Sequence, residues 1–267
     1  VTGIDLPDEL EGTTWGGSAW STDGRTLFYV TADEQMRPFC VWRHVLGTPQ
    51  SDDVKVFEEL DERFYVYVDL SRSGEWIVID TASKISTEVR LIPAAAPATE
   101  PLLVRAREPE LEYTLEHWGD RWVVLTNLDA PDFRLMTAPL DRPDEWTELV
   151  AHVRGRRIMG AEAFAEHLVL HEWADAQPRL RVLFRDGAER VVHVSDEPHD
   201  VEMDSNPEWH ATTVRYVTQS LTVPVTVYEE DVRTGERTLL KRTPTPGLDL
   251  DRYTSERLWA VADDGTR

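Results

Sequence analysis

Apolar residues fall along this chain in short β-rich runs separated by turn residues, and the 3.6-residue spacing of an amphipathic helix is nearly absent. The clearest runs are "TLFYV", "EWIVID", "RWVVLT", "HLVLHEW" and "TVRYVT". One apolar anchor in each, Leu27, Trp76, Trp122, Leu168 and Val214, gives spacings of 49, 46, 46 and 46 residues. The segments before the runs are similarly placed: "STDG", "SRSG", "HWGD", "AFAE" and "NPEWHA". Each unit then supplies a third strand ("FCVWRHV", "TEVRLI", "FRLMTA", "RLRVLF", "VPVTVYEE") and a fourth ("VKVFEE", "PLLVRA", "EWTELV", "AERVVHV", "ERTLLK").

Four strands in about 46 residues is the size of a β-propeller blade. A lone four-stranded antiparallel blade cannot cover its own faces, so neighbours must stack on it. The chain is therefore expected to be all-β, with five four-stranded antiparallel blades at about 13–60, 61–107, 108–152, 153–197 and 198–247. Residues 1–12 resemble the hairpin that closes the last unit and are expected to be the outer strand of a preceding blade. The ten tryptophans suit the large side chains that blade faces bury.

Composition narrows the partners. With 28 Lys and Arg against 50 Asp and Glu, the formal charge of −22 repels nucleic acid and anionic membranes and attracts cations. Acidity that merely keeps a large protein dispersed is the competing explanation. A single cysteine, Cys40, excludes an internal disulfide and suits a reducing compartment, so the expected location is the cytoplasm. No apolar run approaches the roughly 18 residues of a membrane span. The chain begins with Val rather than Met and is silent about a leader peptide.

Several local patterns hint at chemistry and fall short. "WGGSAW" (15–20) has most of a serine nucleophile elbow, but Trp20 stands where the tight turn needs Gly, and a turn and strand follow rather than a helix. Ser18 is expected to be packing on an innermost strand, where small residues permit close approach. His167 and His171 have the spacing of a zinc-binding helix motif, yet the run is a strand, so no metal or cofactor is expected. "STDGRTLF" lacks the residue between Asp and Gly that a sialidase-type aspartate box requires. "VRGRR" (153–157) is a basic island expected in a solvated loop between blades.

Three stretches, "MRPFCVWRHVLGT" (36–48), "VFEELDERFYV" (56–66) with "SKISTEVRLI" (83–92), and "NPEWHATTVRYVTQSLTVPVTVYEEDVRTGERTLLK" (206–241), resemble the propeller of the oligopeptidase B branch of the prolyl oligopeptidase family of serine peptidases. The resemblance spans essentially the whole chain, and its segments fall at the right places in the repeat. It implies a seven-bladed propeller over a peptidase that cleaves short peptides after Arg or Lys, with two blades not visible here. The ending "DRYTSERLWAVADDGTR" resembles the family's passage into an α/β-hydrolase domain, so 248–267 is expected to be a linker. No residue of this chain matches the family's catalytic triad, and alone it is expected to be inactive.

In an antiparallel blade the loops joining second to third strands share one end with the connections between blades. The chain leaves the last blade at that end, which the resemblance therefore turns toward the hydrolase domain. "TADEQMR" (31–37), "EELDER" (58–63), "SDEPHD" (195–200) and "TQSLTVP" (218–224) fall there. Asp33, Glu34, Glu58, Glu59, Asp61 and Glu62 are thus candidates for steering short cationic peptides. Each could equally be a rim residue paired with Arg37, Arg63 or another arginine. The expected function is a size filter and hinged lid of an Arg/Lys-specific oligopeptidase. A prolyl-specific relative and a stand-alone protein-binding propeller remain the alternatives.

Overall fold

The computed structural model describes residues 6–247 and 249–265. Its strands form five four-stranded antiparallel sheets, each in chain order. Contacts divide the chain into two compact units, residues up to 152 and residues from 153.

The first unit holds three sheets. Sheet 1 is β1 (Thr13–Trp20), β2 (Thr26–Ala32), β3 (Pro38–Val45) and β4 (Val54–Glu58). Sheet 2 is β5 (Tyr65–Leu70), β6 (Trp76–Ala82), β7 (Thr87–Pro93) and β8 (Leu102–Arg105). Sheet 3 is β9 (Tyr113–Trp118), β10 (Arg121–Thr126), β11 (Arg134–Pro139) and β12 (Thr147–Val150). The five anchor runs are the second strands of their sheets, as their repeat predicts.

The second strands β6 and β10 read as near-continuous apolar runs because both of their faces are covered. In β6, Ile77 and Ile79 pack toward sheet 1 with Phe28, Val30, Val66 and Val68. The intervening Val78 packs the other way, with Val89, Leu91, Tyr113 and Trp122. Each such side chain contributes about 1.5–3 kcal/mol when fully buried. Cys40 is buried, and burial pushes its thiol up to about 11.

The "GG" of "WGGSAW" has a packing cause. A Cβ on Gly16 would come within 2.8 Å of the Val66 carbonyl oxygen, and one on Gly17 would press closer still on that of Val68. Gly17 also sits at φ +89°, where a side chain is strained. The glycines thus let β1 lie against β5. Ser18 itself is exposed, so the expected packing role belongs to its two predecessors.

The second unit holds sheet 4, β13 (Arg156–Ala163), β14 (His167–Ala174), β15 (Gln177–Phe184) and β16 (Glu189–Val191), and sheet 5, β17 (Asp200–Met203), β18 (Thr213–Gln219), β19 (Thr226–Asp231) and β20 (Arg237–Arg242). Val169, Val182 and Phe184 of sheet 4 pack against Val201, Val214 and Tyr216 of sheet 5. Within sheet 4, Glu172 is fully buried and held by Arg179 at 3.0 Å and Arg181 at 2.6 Å. The basic island is only partly a loop, since Arg156 and Arg157 open β13.

Residues 1–5 of the expected preceding strand lie outside the described residues, and residues 6–12 belong to no strand. That stretch is instead tied to the end of β3 and the loop after it. Asp8 meets His44 at 3.1 Å, and Glu11 exchanges hydrogen bonds with the Gln50 amide. From 249 to 265 the chain carries one short 3-10 turn, Leu250–Arg252, and no strand. Ser255 and Arg257 fasten it to Glu197 and to the Asp175 carbonyl.

Candidate functional site

Antiparallel pairing puts the β2–β3 and β6–β7 loops, the β4–β5 and β8–β9 connectors, and the starts of β1 and β5 at one end of the first unit. All six candidate acids lie there. The structure sorts them by partner.

Asp33 accepts hydrogen bonds from the Gln35 and Arg37 amides and pairs with the Arg37 guanidinium at 2.8 Å. Burial pushes its carboxyl up, and the Arg37 donors outweigh that and hold it below its usual value. Glu58 pairs with Lys55 at 2.7 Å. Glu59 is buried, accepts from the Asp61 amide, and is bridged to Arg107. Asp61 grips Arg63 with both oxygens, and that side chain pulls its carboxyl down to about 2. Glu34 and Glu62 are exposed and carry no ion pair among the described residues. Of the six candidate acids, four are therefore engaged by partners and two are not.

Arg37 orders this end. Nearly buried, it donates to the carbonyls of Glu59, Asp61 and Phe64, the last at 2.9 Å, and so fixes the connector on both sides of Glu62. Arg107 braces the same connector by lying 4.0 Å over the Phe64 ring and bridging Glu59 to Glu88. Sequence inspection names Arg37 and Arg63 as partners, but not Arg107, which is 48 residues from Glu59.

Two hollows open here and share Glu62 and Tyr65. One, of about 850 Å³, runs past Tyr67, Lys84, Ile85 and Pro109. The other, of about 410 Å³, is bounded by Trp15, Asp33, Met36 and Arg37. Between them stands an aromatic group that sequence reading overlooks. Trp15 lies 6.1 Å from Tyr65 and 5.6 Å from Tyr67, ring centre to ring centre. Tryptophans are expected inside blade faces, and Trp122 is, but Trp15 is 60% exposed. The signal was available in the alternation "YVYVD", in which Val66 and Val68 face the core while Tyr65 and Tyr67 cannot.

Asp80 is the cross-strand partner of Tyr67, and burial, with Asp69 nearby, pushes its carboxyl up to about 6. His167 and His171 lie four residues apart along β14, roughly 13 Å at strand spacing, too far to share one ion. Among the described residues no helix is long and apolar enough to cross a membrane.

Comparison with known proteins places this architecture. The chain is 41% identical over 99% of its length to the dipeptidyl aminopeptidase BI of Pseudoxanthomonas mexicana, covering 37% of that protein. It is 28% identical over its full length to Protease 2 of Moraxella lacunata, covering 39% of it. Among solved structures, oligopeptidase B from Leishmania major superposes with a TM-score of 0.89 at 27% identity, over 99% of this chain and 39% of that one. Oligopeptidase B from Trypanosoma brucei, in a closed form with covalently bound antipain, gives 0.89 at 29% identity, over 98% and 39%. The chain thus spans less than two fifths of these relatives. Residues 1–243 match the family described as prolyl oligopeptidase, N-terminal beta-propeller domain, and the chain belongs to that family of propeller domains.

Proposed function

We propose that this chain is the propeller part of a cytoplasmic serine peptidase that cleaves short peptides after Arg or Lys. Its connector end faces an α/β-hydrolase domain that supplies the triad, and the propeller acts there as size filter and lid. The observation that carries this orientation is where the most exposed apolar side chains of sheets 1 and 2 stand, since Trp20, Val45 and Val54 at the other end are 41–47% exposed. Met36, Leu60 and Ile85, 65%, 80% and 55% exposed, all lie at the connector end of the first unit. In the second unit Leu221, 94% exposed, occupies the equivalent β18–β19 loop. Such residues mark a surface that another domain covers. Among them Glu34 and Glu62 are free to attract cationic peptides, a role the four paired acids are poorly suited to.

A second reading follows from the 41% identical relative, named an aminopeptidase. On it the protein removes dipeptides from a free N-terminus instead of cutting internally after a basic residue.

One set of reactions separates these readings. The full-length protein containing this chain is labelled with a fluorophosphonate probe and given matched peptides with Arg, Lys, Pro or Ala before the scissile bond, each with a free or acetylated N-terminus. Labelling with cleavage after Arg and Lys in acetylated peptides is expected. A requirement for the free amine with dipeptide release supports the aminopeptidase. Cleavage after Pro, or no labelling, rejects both and favours a prolyl-specific relative or a binding module. The 267-residue chain alone is expected neither to react nor to cleave.

A further inference from the structure

We propose that the hollow of about 410 Å³ between Trp15, Tyr65 and Glu62 binds the arginine side chain of a short peptide. The guanidinium would lie against the aromatic faces, with the Glu62 carboxylate as counter-charge. The choice of a peptide to carry the guanidinium rests on the peptidase reading above; the site does not.

The argument begins with the rings. Trp15 is tilted by 36° to Tyr65 and by 57° to Tyr67, so the three rings do not close face to face and leave π surface uncovered. Trp15 and Tyr65 are 60% and 41% exposed, so their faces are open to a ligand. An electron-rich face beside a carboxylate suits a cation, and the planar, weakly hydrated guanidinium suits it better than an ammonium. Water alone would leave this apolar surface poorly solvated.

Charge in the hollow points the same way. Of the three ionic groups on its wall, Asp33 and Arg37 neutralise each other at 2.8 Å, which leaves Glu62 uncompensated. The neighbouring cations are engaged elsewhere, Arg63 by Asp61 and Arg107 by Glu59 and Glu88. Lys84 lines only the larger hollow.

The site is also held in place before any ligand arrives. Gly16 and Gly17 bring β1 onto the carbonyls of Val66 and Val68, which sets Trp15 beside Tyr65 and Tyr67. Arg37 binds the carbonyls of Asp61 and Phe64, the residues that bracket Glu62. Preorganisation of this kind reduces the ordering cost of binding. The "WGG" that resembles a nucleophile elbow thus serves to seat a tryptophan.

The test uses the 267-residue chain and N-acetyl-arginine amide, followed by NMR at the Trp15 indole N–H and by calorimetry. The probe is expected to bind about tenfold more tightly than its neutral isostere N-acetyl-citrulline amide. Trp15→Leu is expected to weaken it about tenfold, and Glu62→Gln about threefold at low salt, with the second loss shrinking as salt is added. Glu58→Gln, on the same end but outside the hollow, should leave binding unchanged. Equal binding of the arginine and citrulline probes overturns the proposal. So does wild-type binding in Glu62→Gln together with Trp15→Leu, or glycinamide binding as tightly as the arginine probe, which would make this an amine site. Thermal melting checks each variant's fold, and should Trp15→Leu unfold, the citrulline comparison and Glu62→Gln decide alone. No cleavage assay enters this test, so its failure is distinct from failure of the peptidase reading.

Discussion

At one end of sheets 1 and 2 the strands are closed by turns that satisfy themselves. Ser21 donates to Asp23 at 2.6 Å and accepts the Thr26 amide, and Ser71 shares a hydrogen bond with the Ser73 hydroxyl at 2.9 Å and accepts the Trp76 amide. At the other end, buried Arg37 and half-buried Arg107 tie long connectors together while Met36, Leu60 and Ile85 stand exposed. The same repeat unit thus has a finished end and an unfinished one. The turns are closed by their own hydrogen bonds, whereas the connectors are braced by arginines and leave the most exposed apolar side chains in the open, as a surface that another domain covers would. Shape alone would not separate them, because both ends are loops of one sheet.

The comparison fails if the two ends do not hang on one wall, and the largest expected effect tests this. Gly16→Val places atoms within 2.8 Å of the Val66 carbonyl oxygen and 2.9 Å of Val30. It should cost about 3 kcal/mol or more and lower the melting temperature, with loss of hydrogen-exchange protection in β1 and β5 together. A smaller loss, about 2 kcal/mol, is expected for Glu59→Ala, which leaves Arg107 without its main partner at the connector end. Ser21→Ala at the finished end should cost about 1 kcal/mol, measured in the same denaturant titration. If Ser21→Ala costs more than Glu59→Ala, the assignment of scaffolding to the connector acids is wrong.

The finished end also carries a titrating group. Burial lowers the His44 pKa, but its bonds to Asp53 at 2.7 Å and Asp8 at 3.1 Å raise it further, so it lies above the ordinary histidine value. Stability from a group shifted this way is complete below about pH 6.5 and is lost as pH rises through the folded value. Asp8 is shifted oppositely, first by the Gly47 amide and then by His44, and its contribution is lost as pH falls below the usual carboxylate range. The melting temperature should therefore decline from pH 6.5 upward, and His44→Gln should flatten the profile in that window. A wild-type profile already flat there would show that the histidine does not hold the 6–12 segment. The smallest effect on stability, within about 0.5 kcal/mol, is expected for Glu34→Gln with Glu62→Gln. In the full-length protein that pair should lower kcat/KM for dibasic peptides with kcat nearly unchanged, and less so at high salt.

The repeat was legible because the second strands are buried, β10 at every residue but Arg121 and β18 at alternate residues, so that each carries a run of apolar positions. Trp76, Trp122 and Leu168 announce themselves in that way. The end at which the acids lie was legible too, since antiparallel order fixes it. Which acids are engaged was not. Glu59 finds its partner in Arg107 and Glu172 is enclosed by Arg179 and Arg181, pairings set by blade packing and strand register. Trp15 misled for the same reason, because a tryptophan on an edge strand has the same neighbours in sequence whether it faces a core or a hollow.

The central claim is that the connector end faces the catalytic domain, and site-specific photo-crosslinking in the full-length protein tests it most directly. A benzophenone side chain is placed at Leu60, at the connector end, or at Gly24, at the finished end where nothing lies within 4 Å of an added Cβ. Crosslinks from Leu60 to whatever part of the full-length protein carries the fluorophosphonate label, with none from Gly24, are the expected result. Crosslinks from Gly24 to that part and none from Leu60 would contradict it.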